Sequence, residues 1–162
     1  MTSHKSSFAA IANAHARILI LGSLPGDASL AAGHYYAHPR NAFWPIMSEL
    51  LHETLFGSDW PQRYATLQAH GIALWDVVAT AQRRGSLDTA LRNIAANPLA
   101  RFVTTLPALR CIVFNGGTAA RLGQKQLTHT GLPQLALPST SPAHTLSFEA
   151  KLAAWSVLGA YL

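Results

Sequence analysis

Arg17-Ile18-Leu19-Ile20-Leu21-Gly22, running straight into Ser23-Leu24-Pro25-Gly26, decides the fold. The apolar stretch does not alternate with polar residues, and glycine and proline end it. A continuous apolar run of this length reads as a strand buried on both faces. Three more runs repeat the pattern. They are Gly71-Ile72-Ala73-Leu74-Trp75-Asp76, Cys111-Ile112-Val113-Phe114-Asn115 closed by Gly116-Gly117, and Leu135-Ala136-Leu137-Pro138. Helical patterns lie between and after them, over residues 42–55, 87–96, 98–105, 118–126 and 148–162. In 42–55, Phe43, Ile46, Met47, Leu50 and Leu51 recur at helical spacing. Strands alternating with helices predict an α/β fold with a parallel sheet covered on both faces. In such sheets ligands bind beyond the carboxyl ends of the strands.

The 162 residues suffice for one domain with a sizeable core. A hydrophobic content of 49% against 12% charged residues excludes a disordered chain. Residues 1–7 are polar and read as a short disordered leader, with a single domain over 8–162. No apolar run is long enough to span a membrane, and the start lacks the apolar segment of a secretory signal. Cys111 is the only cysteine. Alone it forms no internal disulfide and holds no zinc or iron–sulfur site, and its apolar neighbours suggest burial. A cytoplasmic location fits. Twelve Lys/Arg against seven Asp/Glu give a net charge of +5, which suits a polyanionic partner.

The strand ends carry the chemistry. After the first comes Gly22-Ser23-Leu24-Pro25-Gly26-Asp27, a tight turn whose amides can hold an anion or a base edge. Next comes His34-Tyr35-Tyr36-Ala37-His38-Pro39-Arg40-Asn41-Ala42-Phe43-Trp44. Aromatic faces there suit base stacking, and Arg40 suits phosphate. His34 and His38 are four apart, but Gly33 and Pro39 break the helix that would align them on a metal. The second strand delivers Asp76 into the crevice, where it either meets a ligand or caps local amides. Arg83, Arg84 and Ser86 follow, as phosphate contacts or as a solvated loop. Asn115 ends the third strand, at a turn that also reaches the ligand side. After the fourth, Ser139, Thr140, Ser141 and Thr145 sit with His144 around prolines, and hydroxyls suit phosphate oxygens.

Three of these stretches resemble the signature motifs of the uracil-DNA glycosylase superfamily. They are Gly22-Ser23-Leu24-Pro25-Gly26, Tyr36-Ala37-His38-Pro39-Arg40-Asn41-Ala42-Phe43-Trp44 and Pro138-Ser139-Thr140-Ser141-Pro142-Ala143. Within that superfamily they are most similar to the hypoxanthine-DNA glycosylase branch, as are Gly71 to Val78 and Arg84-Gly85-Ser86-Leu87-Asp88. The resemblance runs from Arg17 to Trp155. It implies a three-layer α/β/α sandwich around a four-stranded parallel sheet. It also implies a monofunctional enzyme that flips a deaminated base out of DNA and hydrolyses its glycosidic bond. No cofactor or metal is implied; the iron–sulfur cluster of some relatives needs four cysteines. The enzyme would act as a monomer.

The resemblance also distributes roles. Leu24 stands where uracil-specific and mismatch-specific relatives carry a water-activating Asp or Asn, and Ser139 stands near the second motif's usual His or Asn. Catalysis is then implied to rest on Asn41, holding water or base. Tyr36 would stack on the base, and amides near Ser23 and Leu24 would meet one of its carbonyl oxygens. Asp76 stands where relatives place a polar residue on the base edge. His144 and Leu146 fall where relatives enter the minor groove. His144 could alternatively stabilise the departing base or touch phosphate. Arg40, Ser139, Ser141 and Lys151 are phosphate candidates, Lys151 with an equal claim to be a solvated surface charge. Two other readings stay open: a uracil or G:U/G:T mismatch glycosylase, and an inactive module that binds damaged DNA. A hydrolase or nucleotide-binding protein is disfavoured, because no nucleophile elbow, P-loop lysine or Gly-x-Gly-x-x-Gly is present.

Overall fold

A computed structural model describes residues 3–55 and 57–162. Four strands form one parallel sheet: β2 (Ile18–Gly22), β3 (Ile72–Asp76), β6 (Cys111–Asn115) and β7 (Gln134–Leu137), in the order β3-β2-β6-β7. Register pairs Gly22 with Asp76, so the first turn and the second strand's carboxylate emerge side by side. Alternate residues of each strand enter different cores. Ile18, Ile20, Ile72, Leu74, Cys111 and Val113 pack under α2 (Phe43–Leu51), α3 (Trp60–Ala69) and α6 (Phe148–Trp155). Leu19, Leu21, Ala73, Ile112 and Phe114 pack on the other face, against α4 (Leu99–Val103) and α5 (Gly117–Gly123). The sheet is therefore the middle layer of an α/β/α sandwich, and its central strands are apolar up to their carboxyl ends because both faces are covered. Cys111 is buried as expected, and burial pushes its thiol up to about 11. Among the described residues, no helix is long and apolar enough to cross a membrane.

Two expectations of secondary structure fail, both at a second sheet. Residues 87–96 form no long helix. They make a single 3₁₀ turn at Asp88–Ala90 and then a strand, β5 (Arg92–Ala96). Its partner is β4 (Val78–Arg83), which continues the chain just beyond β3. Asn93 adopts a left-handed backbone, and the pairing shifts register twice, so the helical spacing of apolar residues is broken by irregular strand pairing. Ser3–Ser6, read as part of a disordered leader, form β1 on the other edge of β4; Met1 and Thr2 lie outside the described residues. Lys5 orders this segment. It is buried and donates to Asp27 Oδ1 and to the Gly85 carbonyl, both at 2.5 Å. Two helices that the sequence reading passed over, α1 (Asp27–Ala32) and α3, flank the Tyr35–Tyr36 segment.

The small sheet braces the first turn. Arg83 is fully buried, so it is neither a phosphate contact nor a solvated charge. Its guanidinium donates to the carbonyls of Pro25 (2.5 Å) and Gly85 (2.7 Å). Ser86 Oγ accepts from the Asp27 amide at 2.8 Å, and Ser23 Oγ donates to Asp88 at 2.7 Å. Arg84 remains exposed.

Candidate active site

A cavity of about 700 Å³ opens at the carboxyl ends of β2, β3 and β6. The structure brings together there Ser23, Leu24, Tyr36, Asn41, Asp76, Asn115, Ser139, Ser141 and His144. A second, adjoining groove holds Arg40, Leu146 and Lys151 and shares Asn41, Pro142 and His144 with the cavity. The site residues singled out in the sequence thus divide between one pocket and the surface beside it.

Asp76 forms the floor. It is 3% exposed, its Oδ2 has no hydrogen-bond partner, and its own carbonyl is taken by the Asn97 amide at 2.8 Å. Capping of local amides is therefore not its role. Burial raises its carboxyl to about 7; Asp88 adds to the rise and Arg83 opposes it. Gly22 makes the position possible. A methyl group there would sit 2.6 Å from Asp76 Oδ1 and 3.1 Å from the Tyr36 hydroxyl. The Tyr36 hydroxyl is also buried, with no acceptor for its proton. Burial, then the Asp76 charge, hold it well above the usual phenol range, against a lowering by the Asn115 amide. A buried donor and a buried acceptor thus lie close to Gly22, on two residues that line the cavity, with no protein partner to account for their burial.

Asn41 sits between pocket and groove. Its Oδ1 accepts from the Phe43 amide at 2.9 Å, closing a turn at the entrance to α2. That bond fixes the side chain and leaves its amino group as the donor on offer. Asn115 is engaged twice by Thr140: its Nδ2 donates to Thr140 Oγ1 at 3.0 Å and its Oδ1 accepts from the Thr140 amide at 2.9 Å. Its side chain therefore locks the 138–144 loop onto β6. Asp88 went unassigned in the sequence reading, and Thr140 was read with the hydroxyls suited to phosphate, whereas it is 1% exposed and spent on Asn115. Asp88 stood in a quoted motif, whereas nothing local marked Thr140 as the partner of a residue twenty-five positions away.

The 138–144 loop is also held from α6. Trp155 Nε1 donates to the Pro138 carbonyl at 2.9 Å, and Lys151 Nζ donates to the Ser141 carbonyl at 2.9 Å. Lys151 is only 4% exposed, so it is no solvated surface charge. Burial lowers its affinity for the proton, and two of its donors stay free toward the groove. Ser139 and Ser141 each accept a backbone amide through Oγ, which leaves both hydroxyl protons to donate. His144 and Leu146 are exposed on the same rim. Leu24 is buried against Val78, Ala81 and Leu91 and presents no polar atom from its side chain. His34 and His38 point to different partners. His34 stacks on Trp60 at 4.5 Å and meets the Tyr64 hydroxyl at 3.0 Å, while His38 accepts from the Arg40 amide.

Comparison with known proteins agrees with this architecture. The family model for the uracil DNA glycosylase superfamily matches residues 9–159. A hypoxanthine DNA glycosylase of Methanosarcina barkeri is 31% identical over 152 residues, covering 94% of this chain and 96% of the relative. One from Methanosarcina acetivorans is 34% identical over 140 residues, covering 86% and 88%. The solution NMR structure of a Methanosarcina acetivorans protein assigned as a uracil DNA glycosylase superposes with a TM-score of 0.88 at 31% identity, over 97% of both chains. The sheet order, the pocket at its carboxyl end and these matches lead to one conclusion: the chain belongs to the uracil DNA glycosylase superfamily.

Proposed function

We propose that this DNA glycosylase removes hypoxanthine from deoxyinosine in DNA and leaves an abasic site. The observation that carries the reading is the buried, unpartnered Oδ2 of Asp76 at the pocket floor. Hypoxanthine presents an N1–H donor beside its 6-oxygen. Adenine, its undamaged parent, presents a lone pair at N1 and an amine at position 6. An ionised Asp76 accepts from the first and repels the second. A mismatch of buried donors and acceptors can separate two substrates by about 10⁴-fold. Two hypoxanthine DNA glycosylases among the relatives support the same choice.

In this mechanism the nucleotide leaves the stack and its base enters the cavity. The C1′–N9 bond breaks, its electron pair goes to the base, and water adds to C1′ and gives up a proton, while the base anion takes one up to leave as neutral hypoxanthine. Asn41, with its amino group free, orients the water or the departing base. Backbone amides near Ser23 and Leu24 meet a carbonyl oxygen of the base. Asn115 contributes by fixing the pocket wall. His144 and Leu146 stand beside the vacated position in the duplex, with Leu146 as the apolar wedge. Arg40, Ser139, Ser141 and Lys151 offer donors to phosphates along the groove. A single chain supplies all of these groups, which supports action as a monomer, and its buried lone cysteine, with no disulfide partner in the sequence, suits the cytoplasm.

Labelled duplexes that differ only in holding hypoxanthine, uracil or xanthine, followed by alkaline cleavage, test the proposal. Hypoxanthine should be released fastest. Faster release of uracil, or no release of any base, would sink it. A second variant probes the floor directly. Gly22→Ala should lower hypoxanthine release by about 100-fold, because the new methyl displaces Asp76 and small misplacements of reacting groups cost rates of that order. Single-turnover rates check this; an unchanged rate would show that Asp76 is not held where the chemistry needs it.

A further inference from the structure

The sequence reading gives Tyr36 a stacking role. Its geometry is poorly suited to that role alone. The ring already packs on Phe43, with centroids 4.2 Å apart and planes at 32°. A ring stacked on a base holds its hydroxyl parallel to that base, out of reach of the base's edge. Here the hydroxyl instead lies over Gly22 beside Asp76, buried and with no acceptor for its proton.

The backbone shows that this placement is enforced. Tyr36 has φ of 54°, the left-handed region that a tyrosine seldom adopts. Its neighbours hold it there. The Tyr35 amide donates to the Tyr64 hydroxyl, the Tyr35 carbonyl accepts from Trp44 Nε1, and the Tyr35 hydroxyl donates to the Ala9 carbonyl. On the other side the Ala37 amide donates to Ser29 Oγ. A strained residue held from both sides, ending in an unused buried donor, points to function.

We infer that the Tyr36 hydroxyl is a specificity-determining donor to the 6-oxygen of the extruded base, working as a pair with Asp76, which accepts from N1–H. The inference rests on the hypoxanthine reading above. Donor and acceptor side by side match a lactam edge, in which N–H adjoins C=O. They oppose the edges of adenine and cytosine, in which an amine adjoins a ring nitrogen. Asp76 alone reads half of that edge, and Tyr36 supplies the other half. As the bond to the sugar breaks, negative charge spreads onto the 6-oxygen, so the same hydrogen bond strengthens toward the transition state.

Tyr36→Phe keeps the ring and removes the donor; Tyr36→Ala removes both. Single-turnover release is measured from duplexes holding hypoxanthine or its 6-thio analogue, whose sulfur is a weak acceptor. Tyr36→Phe should slow hypoxanthine release by about 10- to 100-fold. It should leave release of the 6-thio base, and duplex affinity, within about twofold of wild type. A Tyr36→Phe enzyme as fast as wild type on hypoxanthine, with only Tyr36→Ala slowed, would overturn the inference in favour of stacking. Equal losses on both bases would overturn it in favour of a structural role. Failure of the wild type itself to release hypoxanthine would instead remove the reading beneath it.

Discussion

Asn41→Ala should lose about 10³-fold in hypoxanthine release, the upper range for removing one oriented donor from such a site. The same substitution should also cost about 1 kcal/mol of stability, because the bond from the Phe43 amide to Asn41 Oδ1 disappears at the entrance to α2. The two effects separate in Asn41→Asp. Aspartate keeps an acceptor for Phe43 and lacks the amino group. It should regain the thermal midpoint lost in Asn41→Ala while staying as slow. Melting curves and single-turnover rates on the three proteins decide the point. Recovery of the rate in Asn41→Asp would transfer the role from the amino group to the oxygen, and a fully active Asn41→Ala would remove Asn41 from catalysis.

Asp76→Ala should cost about as much in rate, roughly 10³-fold or more, with little change in duplex affinity, since the carboxyl contacts only the extruded base. Equal losses in rate and affinity would count against its role. Its titration adds a signature. The folded protein holds the Asp76 proton up to about pH 7, against an ordinary carboxyl value of 3.8. The native state therefore binds this proton more tightly than the unfolded chain does. Its stabilising contribution is complete below about pH 4 and is lost as pH rises toward 7. Activity should move the other way, because ionised Asp76 is the stronger acceptor for N1–H. Hypoxanthine release should climb with pH up to about 7 and then level off. Asp76→Asn should flatten that limb and melt at a higher temperature than wild type at pH 8, but not at pH 4. A wild-type profile with no rise toward pH 7 would show that the ionised form is not what reads the base.

Much of this was legible in the sequence because the signals were local. The unbroken apolar run Ile18–Leu21 reported burial on both faces, and in a parallel sheet that also located the pocket at the strand ends. Asn41 and Asp76, which line it, lie within a few positions of a helix start and a strand end. What escaped was set by long-range partners. The 87–96 segment has helical spacing, yet pairing with β4 overrides it. Polar Ser3–Ser6 look unstructured until Lys5 finds Asp27. Arg83 reads as a surface charge until its burial under the first turn is seen. The assignment of Tyr36 to stacking followed from its ring; only the packing on Phe43 and the position of the hydroxyl bring its polar end forward.

The bonds from Arg83, Ser86 and Asp88 to the 23–27 turn tie the pocket wall to a sheet separate from the four-stranded one. One strand of that sheet, β5, is exposed along its whole length. Fraying there withdraws support from the wall, so both should open in a single step rather than in sequence. The amides of β4 and those of the turn would then share one hydrogen-exchange rate and one temperature dependence. Warming would loosen the enzyme's hold on its base before the larger sheet melts, and the usable temperature range would be set by the small sheet.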